Sequence, residues 1–182
     1  MRLPRSFYAR PTVEVARDLL GKIIRHGTVS ARIVETEAYL GAGDLAAHSA
    51  RGLTPRTRVI FGPPGHAYVY LIYGMHYCLN IVAESEGIAG CVLIRAVEPI
   101  TPLLGEPART SNGPGKLTRA LGINLEHYGV DLTRGPITVH TPTRPAPFEI
   151  VVSPRIGISQ STDLPLRFFI RGNRHVSREP RR

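Results

Sequence analysis

Glu35 and Glu37 stand two apart in the run Arg32-Ile-Val-Glu-Thr-Glu-Ala-Tyr39. On a β-strand alternate side chains share a face, so both carboxylates point the same way. Glu37 is nearer the strand end and is followed by Ala38, Tyr39 and the glycine-rich Gly41-Ala42-Gly43. Loops at strand ends are where reactive groups meet ligands. An ionised carboxylate there can take a proton from an attacking water and stabilise a developing cation. Glu35, nearer the strand interior, is expected to matter far less to the chemistry. A carboxylate pair also suggests glycoside hydrolysis by an acid and a base, but neighbours at i and i+2 rarely flank one bond from opposite sides. The plain alternative is a structural ion pair with Arg32 or a more distant arginine.

Tyr39, Tyr68, Tyr70, Tyr73 and Tyr77 are five of the seven tyrosines and fall within a 39-residue window. Each offers a flat face for stacking on a base and a hydroxyl for hydrogen bonding. Tyr68 and Tyr70 share a face of one predicted strand, where the sheet-core reading competes with a binding one. Tyr73 differs, because a large aromatic on a tight turn has little to pack against. Gly113-Pro114-Gly115-Lys116-Leu117 suggests a phosphate loop and fails as one: Thr110 stands where the first glycine is needed and Leu117 where Ser or Thr is needed. A helix N-terminus with Lys116 can still hold one backbone phosphate. The seven histidines form no i, i+4 helical pair, and Cys78 and Cys91 match no zinc spacing. No metal site is expected, and the cysteines read as half-buried thiols in a reducing compartment.

The elements that must position these groups are mostly strands. Pro11 opens a helix with Val13, Ala16, Leu19 and Leu20 on one face and Gly21 as its stop. Lys22 to Arg25 and Thr28 to Glu37 read as strands joined at His26-Gly27, the second half-buried by its alternation at Val29, Ala31 and Ile33. Thr54-Pro55 begins a short helix that Gly62 closes. Tyr68 to Ile72 and Tyr77 to Val82 make a hairpin across Tyr73-Gly74-Met75-His76, and Cys91 to Val97 adds a strand that is apolar except for Arg95. A helix from Asn112-Gly113-Pro114 ends at Gly122, and further strands are predicted at Ile137 to His140, Glu149 to Val152 and Arg167 to Arg171. Strands in runs with few helices between them imply an α+β fold: a single domain over 1–182, with a mostly antiparallel β-sheet flanked by a few helices and long loops.

Charge narrows the partner. The chain has 182 residues and a formal net charge of +9, and all its basic residues except Lys22 and Lys116 are arginine. Arginine forks around phosphate as lysine does not, which points to a polyanion, although a composition rich in Arg codons is the plain alternative. Gly 18 and Pro 16 make about a fifth of the chain, which fits an ordered, loop-rich fold, and 42% hydrophobic residues suffice for a core. A basic tail from about 172, with Arg174, Arg178, Arg181 and Arg182 against Glu179, reads as a frayed terminus or a backbone-contacting arm. No apolar run fits a secretory signal or a membrane span, so a soluble intracellular protein is expected, cytoplasmic in a bacterium and nuclear in a eukaryote.

Arg32 to Leu40 with Ala46-Ala-His48-Ser49, Tyr68-Val-Tyr70-Leu-Ile-Tyr73-Gly-Met with Asn80 seven residues on, Cys91-Val-Leu-Ile-Arg95-Ala-Val-Glu-Pro99, Gly113-Pro-Gly-Lys116-Leu and Leu166-Arg-Phe-Phe-Ile-Arg171-Gly follow one another in order. Together they resemble the alkyladenine (3-methyladenine) DNA glycosylase family over nearly the whole chain. The resemblance implies that Glu37 activates the attacking water and Arg95 helps to hold it. Tyr39, His48 and Tyr70 would line the pocket and sandwich an extruded base, Tyr73 would wedge into the duplex, and Asn80 would crowd the amino group of guanine. Lys116 and Arg171 would contact the DNA backbone. The implied enzyme is a monofunctional glycosylase without metal or organic cofactor, acting as a monomer on double-stranded DNA containing damaged purines. No lysine lies near the pocket motifs to form a Schiff base. Two departures are His76-Tyr77, where the vertebrate member has two aromatics, and a shorter region after Glu98, which bears on the DNA contacts of that loop. The alternatives are a non-catalytic nucleic-acid module like the C-terminal domain of formyltransferases, with Glu37 merely structural, and a glycoside hydrolase acting on sugars. Base release from damaged duplex separates the enzyme from the module, and the basic surface and Tyr73 argue against a neutral sugar.

Overall fold

A computed structural model describes residues 1–104 and 112–177. A short helix α1 (Arg5–Tyr8) leads into α2 (Thr12–Leu19). Pro11 precedes the first turn of α2 and Glu14 lies in it, both favourable at a helix N-terminus. Thr12, Val15, Ala16 and Leu19 make the buried stripe at helical spacing. Val15 thus takes the inward place expected of Val13, which is only partly buried. Gly21, at φ +77°, makes the expected stop.

Eight strands are seen among the described residues: β1 (Ile23–His26), β2 (Val29–Tyr39), β3 (Ala67–Ile72), β4 (His76–Ala83), β5 (Gly90–Pro99), β6 (Ile137–His140), β7 (Ile150–Ser153) and β8 (Arg167–Ile170). They form one sheet in the order β3-β4-β5-β2-β1-β6, with β8 joined to β2 and β7 to β8. Each pairing is antiparallel. With α3 (Pro114–Leu121) against β4 and β5, the architecture is the expected α+β fold.

β2 is the spine. β5 runs along one of its edges; the other edge is divided between β1, at Val29 to Arg32, and β8, at Glu35 to Glu37. The β2–β5 register matches Ile33 with Val97, Glu35 with Ala96 and Thr36 with Ile94, which leaves Val34 and Arg95 unmatched. Such irregularities re-aim side chains. Here Arg95 falls between the rows of Glu35 and Glu37.

Three expectations are corrected. β2 is not half-buried: Ser30, Glu35, Thr36 and Glu37 are buried along with its apolar residues, because chain from 155 to 177 returns to meet Glu35 and Glu37, α2 meets Thr36 through the Ala16 carbonyl and Thr101 meets Ser30. The helix expected from Thr54 shrinks to a single 3₁₀ turn, Arg58–Phe61, still closed at Gly62. The tail from about 172, read as a frayed terminus or a backbone-contacting arm, is packed as far as Ser177, with His175 and Val176 buried and Ser177 bonded to Glu35. Arg178, Arg181 and Arg182 lie outside the described residues. Among the described residues no helix is long and apolar enough to cross a membrane.

Candidate active site and nucleic-acid interface

Most of the chain shares one apolar core, but Ile60, Tyr68, Val82, Ala89 and Cys91 form a separate small cluster beneath the β3–β4 hairpin. A cavity of about 310 Å³ opens above it. Tyr39, His48, Tyr68, Tyr70, Asn80 and Cys91 line its sheet side, and Leu45, Ala46 and residues 157–160 close the other. The rings of Tyr68 and Tyr70 have centroids 5.1 Å apart, and the His48 ring stands edge-on to Tyr70 at 4.6 Å. His48 Nδ1 and the Tyr68 hydroxyl are hydrogen-bonded at 2.8 Å. Burial, followed by the nearby Arg56 and Arg51 charges, pulls His48 down to about 4, so its imidazole is neutral at physiological pH. Asn80 is buried opposite Tyr68 on the neighbouring strand and donates through Nδ2 to the Tyr68 carbonyl at 3.1 Å.

Glu37 lies behind Tyr39 with its side chain fully buried. Its Oε1 accepts from the Ile156 N–H at 2.8 Å and faces Arg95 Nη1 at 3.2 Å. Among the described residues its Oε2 accepts only the Tyr39 hydroxyl, at 3.0 Å. A carboxylate oxygen can accept two bonds, so Oε2 keeps one lone pair for a water. Burial raises the Glu37 pKa; Arg95, the Ile156 N–H and the Tyr39 hydroxyl oppose that without cancelling it, and the Glu35 charge adds to it. A carboxylate raised towards neutrality and still held by three donors suits a general base.

The neighbours extend this pattern. Arg95 Nε also reaches Glu35 Oε1 at 3.2 Å, and Arg167 Nε reaches the same oxygen at 2.7 Å. On the other side Arg155 lies over the Tyr39 ring, 4.6 Å from its centroid, and grips Asp44 with bonds of 2.6 and 2.8 Å. The result is a buried chain, Asp44, Arg155, Tyr39, Glu37, Arg95, Glu35 and Arg167, in which three carboxylates alternate with three guanidiniums.

Tyr73 occupies the tip of the hairpin, 85% exposed. With Gly74 it takes positive φ, +50° and +68°, in a turn closed by the Met75 N–H on the Ile72 carbonyl. An aromatic side chain in the left-handed region is strained, and such strain concentrates where a residue is used.

The methylpurine-DNA glycosylase family model matches residues 6–174. A 3-methyladenine DNA glycosylase by name from Methanoculleus marisnigri is 50% identical over 98% of this chain and all of its own length. Similarly named proteins from Chlorobaculum tepidum and Legionella pneumophila strain Lens are 50% and 47% identical over 97% of this chain, covering 91% and 98% of their own lengths. The chain belongs to the methylpurine-DNA glycosylase family. It is therefore a DNA repair glycosylase, a monofunctional enzyme that hydrolyses N-glycosidic bonds in DNA. The non-catalytic module and the sugar hydrolase fall away.

In this methylpurine-DNA glycosylase fold Glu37, Arg95 and Tyr39 come together, and Tyr39, His48, Tyr70 and Asn80 meet around the cavity. Lys116 is on the exposed side of α3 and bonds Asn112 at 3.1 Å. α3 abuts the hairpin base closely enough that a Cβ at Gly115 would come within 2.8 Å of His76 Cβ. Arg171 is not brought to the cavity. It follows β8, four residues beyond the Arg167 that pairs Glu37, or roughly 13 Å along the strand, and is paired with Glu149 at 2.8 Å. Of the two ion-pair partners weighed for the carboxylates, Arg32 or a more distant arginine, the structure gives the distant ones: Glu35 takes Arg95 and Arg167, while Arg32 pairs Glu98 at 2.8 Å. Sequence reasoning did not single out Asp44, Arg155, Ile156 or the 157–160 loop, none of which sits in a periodic pattern. Tyr68, singled out with Tyr70 for their shared strand face but not assigned to the pocket, lines it.

Proposed function

We propose that this glycosylase extrudes alkylated or deaminated purines from duplex DNA into the cavity beside Tyr39 and hydrolyses their bond to the sugar with Glu37 as general base. The observation that carries the reading is the geometry of the Glu37 carboxylate: buried behind the cavity wall, with two donors on Oε1 and, among the described residues, the Tyr39 hydroxyl alone on Oε2. Arg95 keeps that charge in place and helps to hold the water. The walls suit the substrate. A neutral His48 does not repel a cationic methylated purine, and the tyrosine faces attract one. Tyr39, His48 and Tyr70 grip the extruded base, and Asn80 crowds an exocyclic amino group. Tyr73 enters the duplex and offsets the few kcal/mol lost on unstacking. Lys116, on the hairpin side, holds the backbone.

Single-turnover base release from one lesion duplex tests this. Glu37→Gln keeps size and shape and removes the charge and the basicity. Release is expected to fall by about 10²–10⁴ with near-normal duplex affinity. A variant that keeps its rate sinks the mechanism.

A further inference from the structure

Glu35 accepts four hydrogen bonds, yet the hydrolysis as described gives it nothing to do. Its side chain is fully buried. Oε1 accepts from Arg95 Nε at 3.2 Å, Arg167 Nε at 2.7 Å and Ser177 Oγ at 2.9 Å. Oε2 accepts from the Ser177 N–H at 2.7 Å. These donors come from β5, β8 and the segment after β8, so Glu35 joins three parts of the chain at a point one guanidinium from the base.

We propose that Glu35 is a positioning residue for the reaction: it holds Arg95 against Glu37, and the C-terminal segment, through Ser177, holds Glu35. The proposal rests on reading Glu37 as the base. Arg95 is unmatched in the β2–β5 ladder, so its place is set by its side-chain partners. It has two carboxylates, one on each nitrogen reach, Glu35 at Nε and Glu37 at Nη1. Glu35 is the anion shared by Arg95 and Arg167, and without its charge the repulsion between the two guanidiniums is no longer offset at that point. Arg95 would then move away from Arg167, and the water it helps to hold would move with it. Misplacement on that scale is costly in a reaction that depends on orientation.

Glu35 also acts on Glu37 through space, as a like charge that disfavours its ionisation. The other groups facing the pair are Arg95 on β5, Arg167 on β8, Tyr39 on β2, Arg155 before the 157–160 loop and Cys78 on β4, whose thiol burial pushes up to about 11 and keeps neutral. His175 lies in the segment that carries Ser177 and is bonded to Arg174 at 3.3 Å. If Glu35 did not position Arg95, its loss would leave Arg95 in place and, with a like charge gone, would let the Glu37 pKa fall.

The test is the pH–rate profile for release of a cationic methylated purine, in single turnover, with duplex affinity and thermal unfolding measured alongside. Glu35→Gln is expected to lower the plateau about 10- to 100-fold and to move the acid limb up by about one pH unit, because an Arg95 that has moved off stabilises the Glu37 charge less, and that outweighs the lost like charge of Glu35. Glu35→Asp keeps the charge and is expected to keep the limb in place while losing rate. Ser177→Ala removes one donor, keeps every buried charge, and is expected to cost about threefold with the limb unmoved. A folded Glu35→Gln with a limb unmoved or moved down overturns the proposal, while an inactive Glu37→Gln would leave the base assignment standing. If Glu37→Gln keeps its rate, the base assignment itself fails and this proposal with it. Should Glu35→Gln not fold, Ser177→Ala decides, and an unchanged rate there overturns it.

Discussion

The Tyr39 hydroxyl donates to Glu37 Oε2 over 3.0 Å, so one residue of the cavity wall is also a ligand of the buried carboxylate behind it. The bond stabilises the ionised form of Glu37 against burial. Tyr39→Phe removes that donor and nothing else polar. The Glu37 pKa should rise further, and since the base works only when ionised, the acid limb of the pH–rate profile should move up by about one unit. An unmoved limb for a cationic substrate would show that the hydroxyl does not bond the carboxylate in the working enzyme.

Asp44 and Arg155 are both fully buried and doubly bonded. Burial opposes the Asp44 charge, but the Arg155 bonds and the Leu40 N–H win and hold its carboxyl below the ordinary range. Asp44→Ala leaves a buried guanidinium unpaired and should cost about 3–5 kcal/mol in urea unfolding at pH 7. A group with a lowered folded pKa stabilises above its unfolded value and loses that contribution as pH falls through the folded one. The gap between wild type and variant should therefore narrow at acid pH. A gap independent of pH would refute the pairing.

Tyr73→Gly separates stability from function. Glycine adopts the positive φ at this position without strain, so the variant should be more stable by about 1 kcal/mol. Extrusion should fail for want of a wedge, read as loss of the fluorescence change of a base analogue beside the lesion. Normal extrusion by this variant would remove Tyr73 from that role.

Asn80→Ser takes bulk from the cavity wall beside Tyr68. Rejection of one small group is worth only about 1–3 kcal/mol, so purines with a 2-amino group should be released 10- to 200-fold faster relative to those without. Release ratios on matched duplexes measure this, and an unchanged ratio counts against Asn80.

Much of this protein is legible along the chain. The alternation through Val29 to Tyr39 and across the Tyr73 turn specifies antiparallel strands, because period two is a property of neighbours. Glycine at 21, 62 and 122 marks stops, because backbone freedom is local. Glu37 and Tyr73 announce themselves by position, one at a strand end and one on a turn. What could not be read is what the charges do together. Arg95, Arg155, Arg167 and Ser177 meet Glu35, Glu37 and Asp44 across separations of 58 to 142 residues, and no local pattern encodes such a meeting. Whether a carboxylate on a strand becomes a surface ion pair or a buried base depends on what covers its face. Here the cover is a segment from the far end of the chain, and only the folded sheet, with Arg95 left out of its ladder, decides that Glu37 is buried and held by Arg95, Ile156 and Tyr39.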